Sequence, residues 1–180
     1  MNENTGRPVV LDVWCDLQCP DCHRAESDLR VLAERFGPAL EIRRRHFPLP
    51  RHQHALAAAQ AAEEAHAQGS GDAFWTALLA RTAELSERGT PVLLDVARGL
   101  GLDADEVDTA LVDGRHMLMV DADQAEGQAL GVTGTPTYVI GGQRLDGGKS
   151  QEGLLDRIAE LVESLLAQPS GLDRWNSAAS

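Results

Sequence analysis

A segment of nine residues, 15–23, holds all three cysteines of this 180-residue chain and constrains its fold more than any other feature. The run before it, 9–14, is rich in β-branched and aromatic residues, which is typical of a strand. After it, apolar residues recur every three or four positions over 24–35, a pattern that predicts an amphipathic helix, and Gly37 and Pro38 end it. The cysteines therefore lie where a strand turns into a helix.

The cysteine spacing fits three kinds of site. Cys-x-x-Cys is a dithiol redox centre, Cys-x-x-Cys-His is a haem attachment site, and Cys-x3-Cys-x2-Cys is the ligand set of the iron–sulfur cluster in radical enzymes. Radical enzymes of that type need a larger β/α barrel than this chain supplies, and attached haem normally belongs to exported proteins. A non-enzymatic metal or iron–sulfur protein that uses Cys15, Cys19 and Cys22 stays open as an alternative, as does zinc with His23 as a fourth ligand.

The place of Cys19 gives the dithiol interpretation its chemistry. Pro20 suits the first turn of a helix, so we expect Cys19 at or next to the N-cap. The first turn offers unpaired backbone N–H groups and the positive end of the helix dipole, which should make the Cys19 thiol acidic and nucleophilic. Cys22 lies on the same helix face, deeper and within reach of a disulfide with Cys19. One cysteine would attack, and the other would resolve the mixed disulfide.

A second informative segment, 131–142, combines a turn-rich entry, a β-rich run and a tight turn before Gln143. This order predicts a β-hairpin. Pro136 opens the strand and cannot donate to a ladder. We therefore expect it at an edge or in a special geometry, of which a cis bond after Thr135 is one.

With the strand, the Cys-Pro-Asp-Cys motif at 19–22, a helical middle and the run 131–136 before a hairpin, the chain resembles the DsbA-like thioredoxin-fold oxidoreductases. Within them it is most similar to the cytoplasmic, FrnE-type branch. The resemblance covers roughly residues 9–166. It implies an α/β protein, with a thioredoxin fold interrupted by an inserted all-helical domain.

The resemblance also implies roles for single residues. Cys19 would be the attacking thiol, Cys22 the resolving thiol, and Pro136 a cis-proline packed against the disulfide. Thr135 would offer its backbone to a bound substrate strand, which amounts to β-augmentation beside a reactive sulfur. The function implied is thiol–disulfide exchange.

Pro20 and Asp21 separate the two cysteines and should modulate their chemistry. Periplasmic members of the family often have a histidine or an aromatic residue where this chain has Asp21. A carboxylate beside sulfur repels a second negative charge and favours the thiol. We therefore expect a more reducing couple than that of the periplasmic oxidants.

The domain organisation follows from where helical patterns replace strand patterns. We expect a polar N-terminal tail over 1–8, a discontinuous thioredoxin-fold domain over 9–50 and 131–168, a helical insertion over 51–130, and a C-terminal tail over 169–180. Helices of the insertion are predicted over 54–68, 73–86, 91–99 and 104–130, the last broken near Gly114.

Charge and terminal composition bear on partners and location. The formal net charge of −12 argues against nucleic acid or anionic membrane as a partner. No apolar run is long enough to span a bilayer, and the N-terminus lacks the features of a secretory signal. We expect a cytoplasmic enzyme without a bound cofactor that acts on protein or small-molecule thiols and disulfides, with a low-molecular-weight thiol as a candidate electron donor. A reducing cytosol would keep the pair as a dithiol.

The basic run 43–45 is predicted to be the solvated face of a strand, with an anion site for the carboxylates of a small thiol as the alternative. His46, His52 and His54 are close in sequence but fit no recognised metal set. We expect these histidines at the surface or at the edge of a substrate site.

Three further residues near the motif need roles. We expect Cys15 to be a small buried residue at the end of the strand, although a third thiol could form an alternative disulfide. Asp12 and Asp16 are candidates for the proton acceptor of the resolving thiol.

A small-thiol-dependent reductase or isomerase of an organic substrate in the same family is the alternative function; kappa-class glutathione transferases of that kind typically have a serine in place of the cysteine pair.

Overall fold

A four-stranded mixed sheet organises the protein, whose computed structural model describes residues 7–148 and 153–168. The strands are β1 (Val9–Cys15), β2 (Leu40–His46), β3 (Thr137–Ile140) and β4 (Gln143–Asp146). Their order across the sheet is β2-β1-β3-β4. β1 pairs parallel with β2 and antiparallel with β3, and β3 pairs antiparallel with β4. The central strand β1 thus leads directly into the cysteine segment.

The composition of β1 explains its central place. Leu11, Val13 and Trp14 are fully buried and Cys15 is nearly so, which leaves both faces of the strand covered. A strand buried on both faces has a nearly continuous apolar run rather than an alternating one. Because β1 and β2 are parallel, a crossover must join them, and helix α1 (Pro20–Phe36) provides it.

The remaining helices form the insertion and one cover of the sheet. Between β2 and β3 lie α2 (Ala55–Ala67), α3 (Gly71–Leu79), α4 (Thr82–Arg88), α5 (Thr90–Gly99), α6 (Ala104–Asp113) and α7 (Met117–Ala129). The last helix, α8 (Leu154–Leu166), packs against α1, β1 and β3. The architecture is a thioredoxin fold with a helical insertion, as the sequence predicts. None of the helices in the two described ranges is long and apolar enough to cross a bilayer.

One predicted helix is wrong: the segment 73–86 forms two helices, α3 and α4. The hydroxyl of Thr82 donates to the carbonyl of Leu79 at 2.7 Å, and the backbone N–H of Arg81 donates to the carbonyl of Leu78 at 2.9 Å. These shorter-range bonds replace the regular helical bonds, so the chain turns there. The predicted break near Gly114 is confirmed, since Gly114 ends α6 with a φ of 67°.

The hairpin predicted in the second segment is confirmed as β3 and β4. Gly141 and Gly142 join the strands with φ values of 55° and 77°. A two-residue hairpin loop with positive φ at both positions favours glycine, which explains the pair.

The main buried core joins the sheet to the insertion. It contains Cys19 and Cys22 together with side chains of the insertion, among them Phe74, Trp75 and Leu78. These three are core residues, not walls of a groove, as their exposures of 0%, 5% and 0% show. The predicted tails, 1–8 and 169–180, lie outside the described residues except for residues 7 and 8.

Candidate active site

The junction of β1 and α1 has the geometry that its sequence predicts. Cys19 is the N-cap of α1, with extended backbone angles (φ −84°, ψ 121°), and Pro20 follows in the first turn. The N–H of Cys19 donates to the carbonyl of Asp16 at 2.9 Å, and the N–H of His23 donates to the carbonyl of Cys19 at 3.2 Å. This tight turn brings Cys19 back over the end of β1.

All three cysteines are free thiols and all are buried, with exposures of 3% for Cys15, 2% for Cys19 and 1% for Cys22. The Sγ atom of Cys22 accepts the backbone N–H of Asp16 at 3.4 Å, which holds it against the end of β1. Burial of Cys15 confirms the prediction. Burial of Cys19 differs from the expectation that Cys22 alone lies deep, because the cap turn folds Cys19 into the same core.

The expectation that Cys19 is an unusually acidic thiol is wrong for the dithiol form. A hydrogen bond with the Cys22 thiol is the largest cause that raises the pKa of Cys19, and burial raises it further. Two groups lower the pKa of Cys19. One is a hydrogen bond with Thr135, and the other is the backbone N–H of Cys22 in the first turn of α1. The predicted helix effect is therefore present, but the neighbouring thiol and burial outweigh it.

Cys22 is the thiol that interacts with both other cysteines. Burial raises the pKa of Cys22 most, and a hydrogen bond with Cys15 raises it further, whereas a bond with Cys19 and the N–H of Asp16 lower it. Both thiols of the motif are therefore protonated in the dithiol form near neutral pH.

The loop before β3 lies across from Cys19. The peptide bond between Thr135 and Pro136 is cis, the isomer that the resemblance implies. The Cys19 thiol donates to the carbonyl of Thr135 at 3.6 Å. The Thr135 hydroxyl is also buried. Because pairing of β3 with β1 begins only at Thr137, the backbone of Thr135 lies outside the ladder.

Of the two aspartates considered as proton acceptors, Asp16 lies at the site. Its side chain is fully buried, and its carboxylate accepts the N–H groups of Gln18 at 2.7 Å and Leu49 at 2.9 Å. The ring of His52 contacts the same carboxylate at 2.7 Å. Asp12 instead pairs with an arginine of β2. Asp16 therefore holds the cap turn and the segment after β2 together beneath the cysteines.

Gln18 is a site residue that the sequence analysis missed. Its side chain donates to the hydroxyl of Ser86 in α4 at 3.2 Å and accepts the N–H of His54 at 2.7 Å. It thereby fastens the residue before Cys19 to the insertion. The only signal in the sequence is its position next to the motif, because both partners are distant along the chain.

Asp21 lies in the first turn of α1, where a carboxylate interacts favourably with the helix dipole. It forms an ion pair with Arg24, and its side chain is 23% exposed. The negative charge that the sequence places between the cysteines is thus partly offset by a cation on the same helix.

The basic run of β2 forms ion pairs. Arg43 pairs with Glu41, Arg44 with Glu26 and Asp72, and Arg45 with Asp12 and Asp123. This pairing fits a structural strand face better than a site for external anions.

The prediction of surface histidines is wrong for His46. It is 2% exposed, its Nε2 atom lies 2.9 Å from Glu63, and its ring lies 4.8 Å from the ring of Trp75. The insertion covers His46 at the end of β2, and the carboxylate that pairs with it belongs to α2.

The metal-site alternatives gain no geometric support. Within residues 7–148 and 153–168, no three histidine, cysteine or carboxylate side chains are arranged to hold a metal ion. His23 is exposed, whereas the three cysteines are buried.

The sequence matches the family described as DSBA-like thioredoxin domain over residues 10–159. It is 32% identical over 165 residues to Na(+)/H(+) antiporter NhaA 3 of Salinispora tropica, covering 91% of this chain and 25% of that protein. It is 36% identical over 151 residues to Na(+)/H(+) antiporter NhaA 1 of Salinispora arenicola, covering 82% and 22%. The chain thus spans about a quarter of the length of the curated relatives it matches.

Solved structures share the fold. A thioredoxin-like oxidoreductase from Silicibacter pomeroyi DSS-3 superposes with a TM-score of 0.71 at 27% identity, covering 84% of this chain and 85% of that one. Oxidised BdbD from Bacillus subtilis superposes with a TM-score of 0.76 at 19% identity, covering 92% and 91%.

Proposed function

Because the chain belongs to the DSBA-like thioredoxin domain family, a family of thiol–disulfide oxidoreductases, we propose that it exchanges disulfides with protein substrates through Cys19 and Cys22. The observation that carries the proposal is the contact of the Cys19 thiol with the carbonyl of Thr135 at 3.6 Å, with Cys22 in the core behind it. A substrate strand that pairs with the backbone of Thr135 would bring its disulfide to Cys19.

The exchange takes place in two steps. The Cys19 thiolate attacks one sulfur of the substrate disulfide; that S–S bond breaks, and the other substrate sulfur leaves as a thiolate that takes up a proton. The Cys22 thiolate then attacks Sγ of Cys19, which forms the Cys19–Cys22 disulfide and releases the second substrate thiol. Two electrons pass to the substrate, and the reverse sequence oxidises a substrate dithiol.

Asp16 acts in this scheme as a positioning residue. Its carboxylate already has three partners, Gln18, Leu49 and His52, and its backbone N–H donates to Cys22. These bonds fix the resolving sulfur beneath Cys19. The carboxylate therefore orients the cap turn.

The direction of exchange that we propose is reduction or isomerisation in the cytoplasm, with a low-molecular-weight thiol as electron donor. Two observations support it. Asp21 sits between the cysteines, and the pKa of Cys19 is raised rather than lowered, so the dithiol lacks the stabilised thiolate of a strong oxidant.

A small organic substrate is the alternative to a protein substrate, and two cavities bear on it. Cavities of about 610 Å³ and about 530 Å³ flank β2, and neither has a cysteine among its described lining residues. The alternative of a reductase or isomerase for a small organic substrate needs a cavity that opens at the reactive sulfur.

Ion exchange is not proposed for this chain. Transport is named for relatives of which the chain spans about a quarter. This chain itself matches the DSBA-like thioredoxin domain over residues 10–159.

Trapping of the mixed disulfide tests the proposal. The Cys22→Ala variant keeps the attacking thiol and lacks the resolving one, so it should accumulate a covalent adduct with a disulfide-bonded peptide, mapped by mass spectrometry to Cys19. The Cys19→Ala variant is the matched control and should form none. An adduct of equal yield in Cys19→Ala, or no adduct in Cys22→Ala, would overturn the proposal.

A further inference from the structure

Cys15 is a buried thiol that the exchange reaction does not use. It is 3% exposed and ends β1, and the peptide that follows it donates its N–H to Sγ of Cys22 at 3.4 Å. Cys15, Cys19 and Cys22 belong to one buried cluster. Cys19 and Cys22 are separated by two residues of the motif. Cys15, at the end of β1, lies beside Cys22.

The interactions among the three cysteines determine which sulfur can be attacked in an exchange reaction. Cys22 interacts with Cys15 and with Cys19, whereas the groups acting on Cys19 are Cys22 and Thr135. Thiol–disulfide exchange requires that the attacked sulfur contact both the entering and the leaving sulfur. Cys22 is the sulfur in that position, with Cys15 as the entering and Cys19 as the leaving group.

We propose that Cys15 is a third redox-active thiol that isomerises the oxidised enzyme, converting the Cys19–Cys22 disulfide into a Cys15–Cys22 disulfide within the folded protein. This inference rests on the proposed function, because it requires that the Cys19–Cys22 disulfide form.

The step balances without an external oxidant or reductant. The Cys15 thiol loses its proton, and its thiolate attacks Sγ of Cys22; the Cys15–Cys22 bond forms as the Cys22–Cys19 bond breaks. Cys19 leaves as a thiolate and takes up one proton. The protein contains one disulfide before and after, so no electrons are gained or lost.

The consequence is a stored form of the oxidised enzyme. In the isomer the disulfide lies in the core, between the end of β1 and α1, and the substrate-facing sulfur is a free thiol. This form cannot oxidise a substrate dithiol until the exchange reverses. Cys15 would thereby set the fraction of the oxidised protein that carries the Cys19–Cys22 disulfide.

The sequence makes the isomer easy to map. A protease that cleaves before aspartate separates the three cysteines, because Asp16 lies between Cys15 and Cys19, and Asp21 lies between Cys19 and Cys22. Oxidised wild-type protein is incubated at mildly alkaline pH and quenched with acid. It is labelled with a light maleimide in denaturant, then reduced and labelled with a heavy one. Light label marks each thiol that was free.

The expected result is light label on Cys15 and also on Cys19, with Cys22 carrying only heavy label. Scrambling in unfolded protein would instead place light label on Cys22 as well, since a Cys15–Cys19 pair would form. The Cys15→Ala variant, the matched control, should carry no light label on Cys19. Its initial rate of dithiol oxidation should exceed that of the wild type by the factor 1/(1 − f), where f is the isomer fraction.

Light label on Cys19 of oxidised wild type that is no higher after the incubation than before it would overturn the inference. The proposed function would then stand, since the Cys19–Cys22 disulfide is still seen. Light label alone, with no heavy label on any of the three cysteines after oxidation, would show that no disulfide forms and would overturn both. The mapping needs no variant to fold, because the wild type carries the decisive readout.

Discussion

The reactivity of each sulfur at the site depends on the groups that it contacts. The Cys22 thiol and burial raise the pKa of Cys19, whereas Thr135 and the backbone N–H of Cys22 lower it. The groups that raise the pKa outweigh the groups that lower it. The surroundings of Cys19 therefore favour its protonated form until substrate or oxidation changes them.

The raised pKa of Cys19 has a kinetic signature. Only the thiolate reacts, so below the pKa the rate of alkylation of Cys19 should rise by about tenfold per pH unit, without a plateau near neutral pH. In Cys22→Ala the profile should move to lower pH, because the hydrogen bond with Cys22 is the largest cause of the raised value. Iodoacetamide labelling of the reduced protein against pH measures both. A plateau at neutral pH in the wild type would contradict the assigned protonation.

Asp21 should lower the redox potential of the cysteine pair. Asp21→His replaces a repelling carboxylate with a donor to the Cys19 thiolate, stabilises the reduced form, and should raise the potential by roughly 30 mV, or about 1.4 kcal/mol for two electrons. Arg24→Ala is the matched control, since it removes a cation beside thiols that are already protonated and should leave the potential unchanged. Equilibration with glutathione buffers measures the potentials. Equal potentials for the wild type and Asp21→His would refute this role for the carboxylate.

Residues whose roles depend on local position were predictable. The sequence places Cys19 at the helix cap with Pro20 behind it, and the structure agrees. The pairing of Asp16 with His52 and the burial of His46 were not predictable, because their partners lie in other elements. The prediction for the pKa of Cys19 is wrong for the same reason. A cap motif in a sequence predicts the helix dipole that lowers the pKa, but not the burial that raises it.

At the scale of elements, the site depends on how the hairpin is held beside α1. Gly147 follows β4, and its N–H donates to the carbonyl of Pro136 at 2.8 Å. A Cβ atom at Gly147 would lie 2.6 Å from Tyr138 Cε2 and 3.0 Å from Pro136 Cγ. Only glycine lets the end of the hairpin close over the loop that faces Cys19.

Gly147→Ala should therefore disturb the site more than the overall fold. The clash must move the Pro136 loop or Tyr138, at a cost of about 1–3 kcal/mol, and should slow exchange through Cys19. Gly148→Ala is the matched control, since a Cβ there meets nothing within 4 Å. Denaturant unfolding and exchange rates for the two variants are the measurements. Equal stability and rate in both variants would show that the close packing at Gly147 does not matter.

Element types followed from local patterns, and their arrangement did not. The strand 9–14, the helix after the motif and the hairpin were all predictable from periodicity and turn residues. The order β2-β1-β3-β4 and the division of 73–86 into α3 and α4 depend on contacts distant in sequence. The hydroxyl of Thr82 decides the second of these, and a polar residue inside a helical pattern does not reveal which carbonyl it will bond.

At the scale of the whole molecule, the dithiol and the fold share one core, so redox state and stability are linked. A disulfide between cysteines with two residues between them should contribute roughly 2 kcal/mol by restricting the unfolded chain. Because no stabilised thiolate favours the reduced form, oxidised protein should unfold at a higher temperature than reduced protein. Thermal unfolding with and without reductant tests this. A more stable reduced form would indicate an oxidising couple and contradict the proposed direction.

The central claim is that Cys19 and Cys22 form one exchange centre, attacked through Cys19. The most direct measurement is the rate at which the protein accelerates exchange between glutathione and a disulfide-bonded peptide, in the wild type and in Cys19→Ala. The account predicts catalysis by the wild type and a fall to the uncatalysed rate in Cys19→Ala with the fold intact by circular dichroism. Undiminished catalysis by the folded Cys19→Ala variant would contradict it.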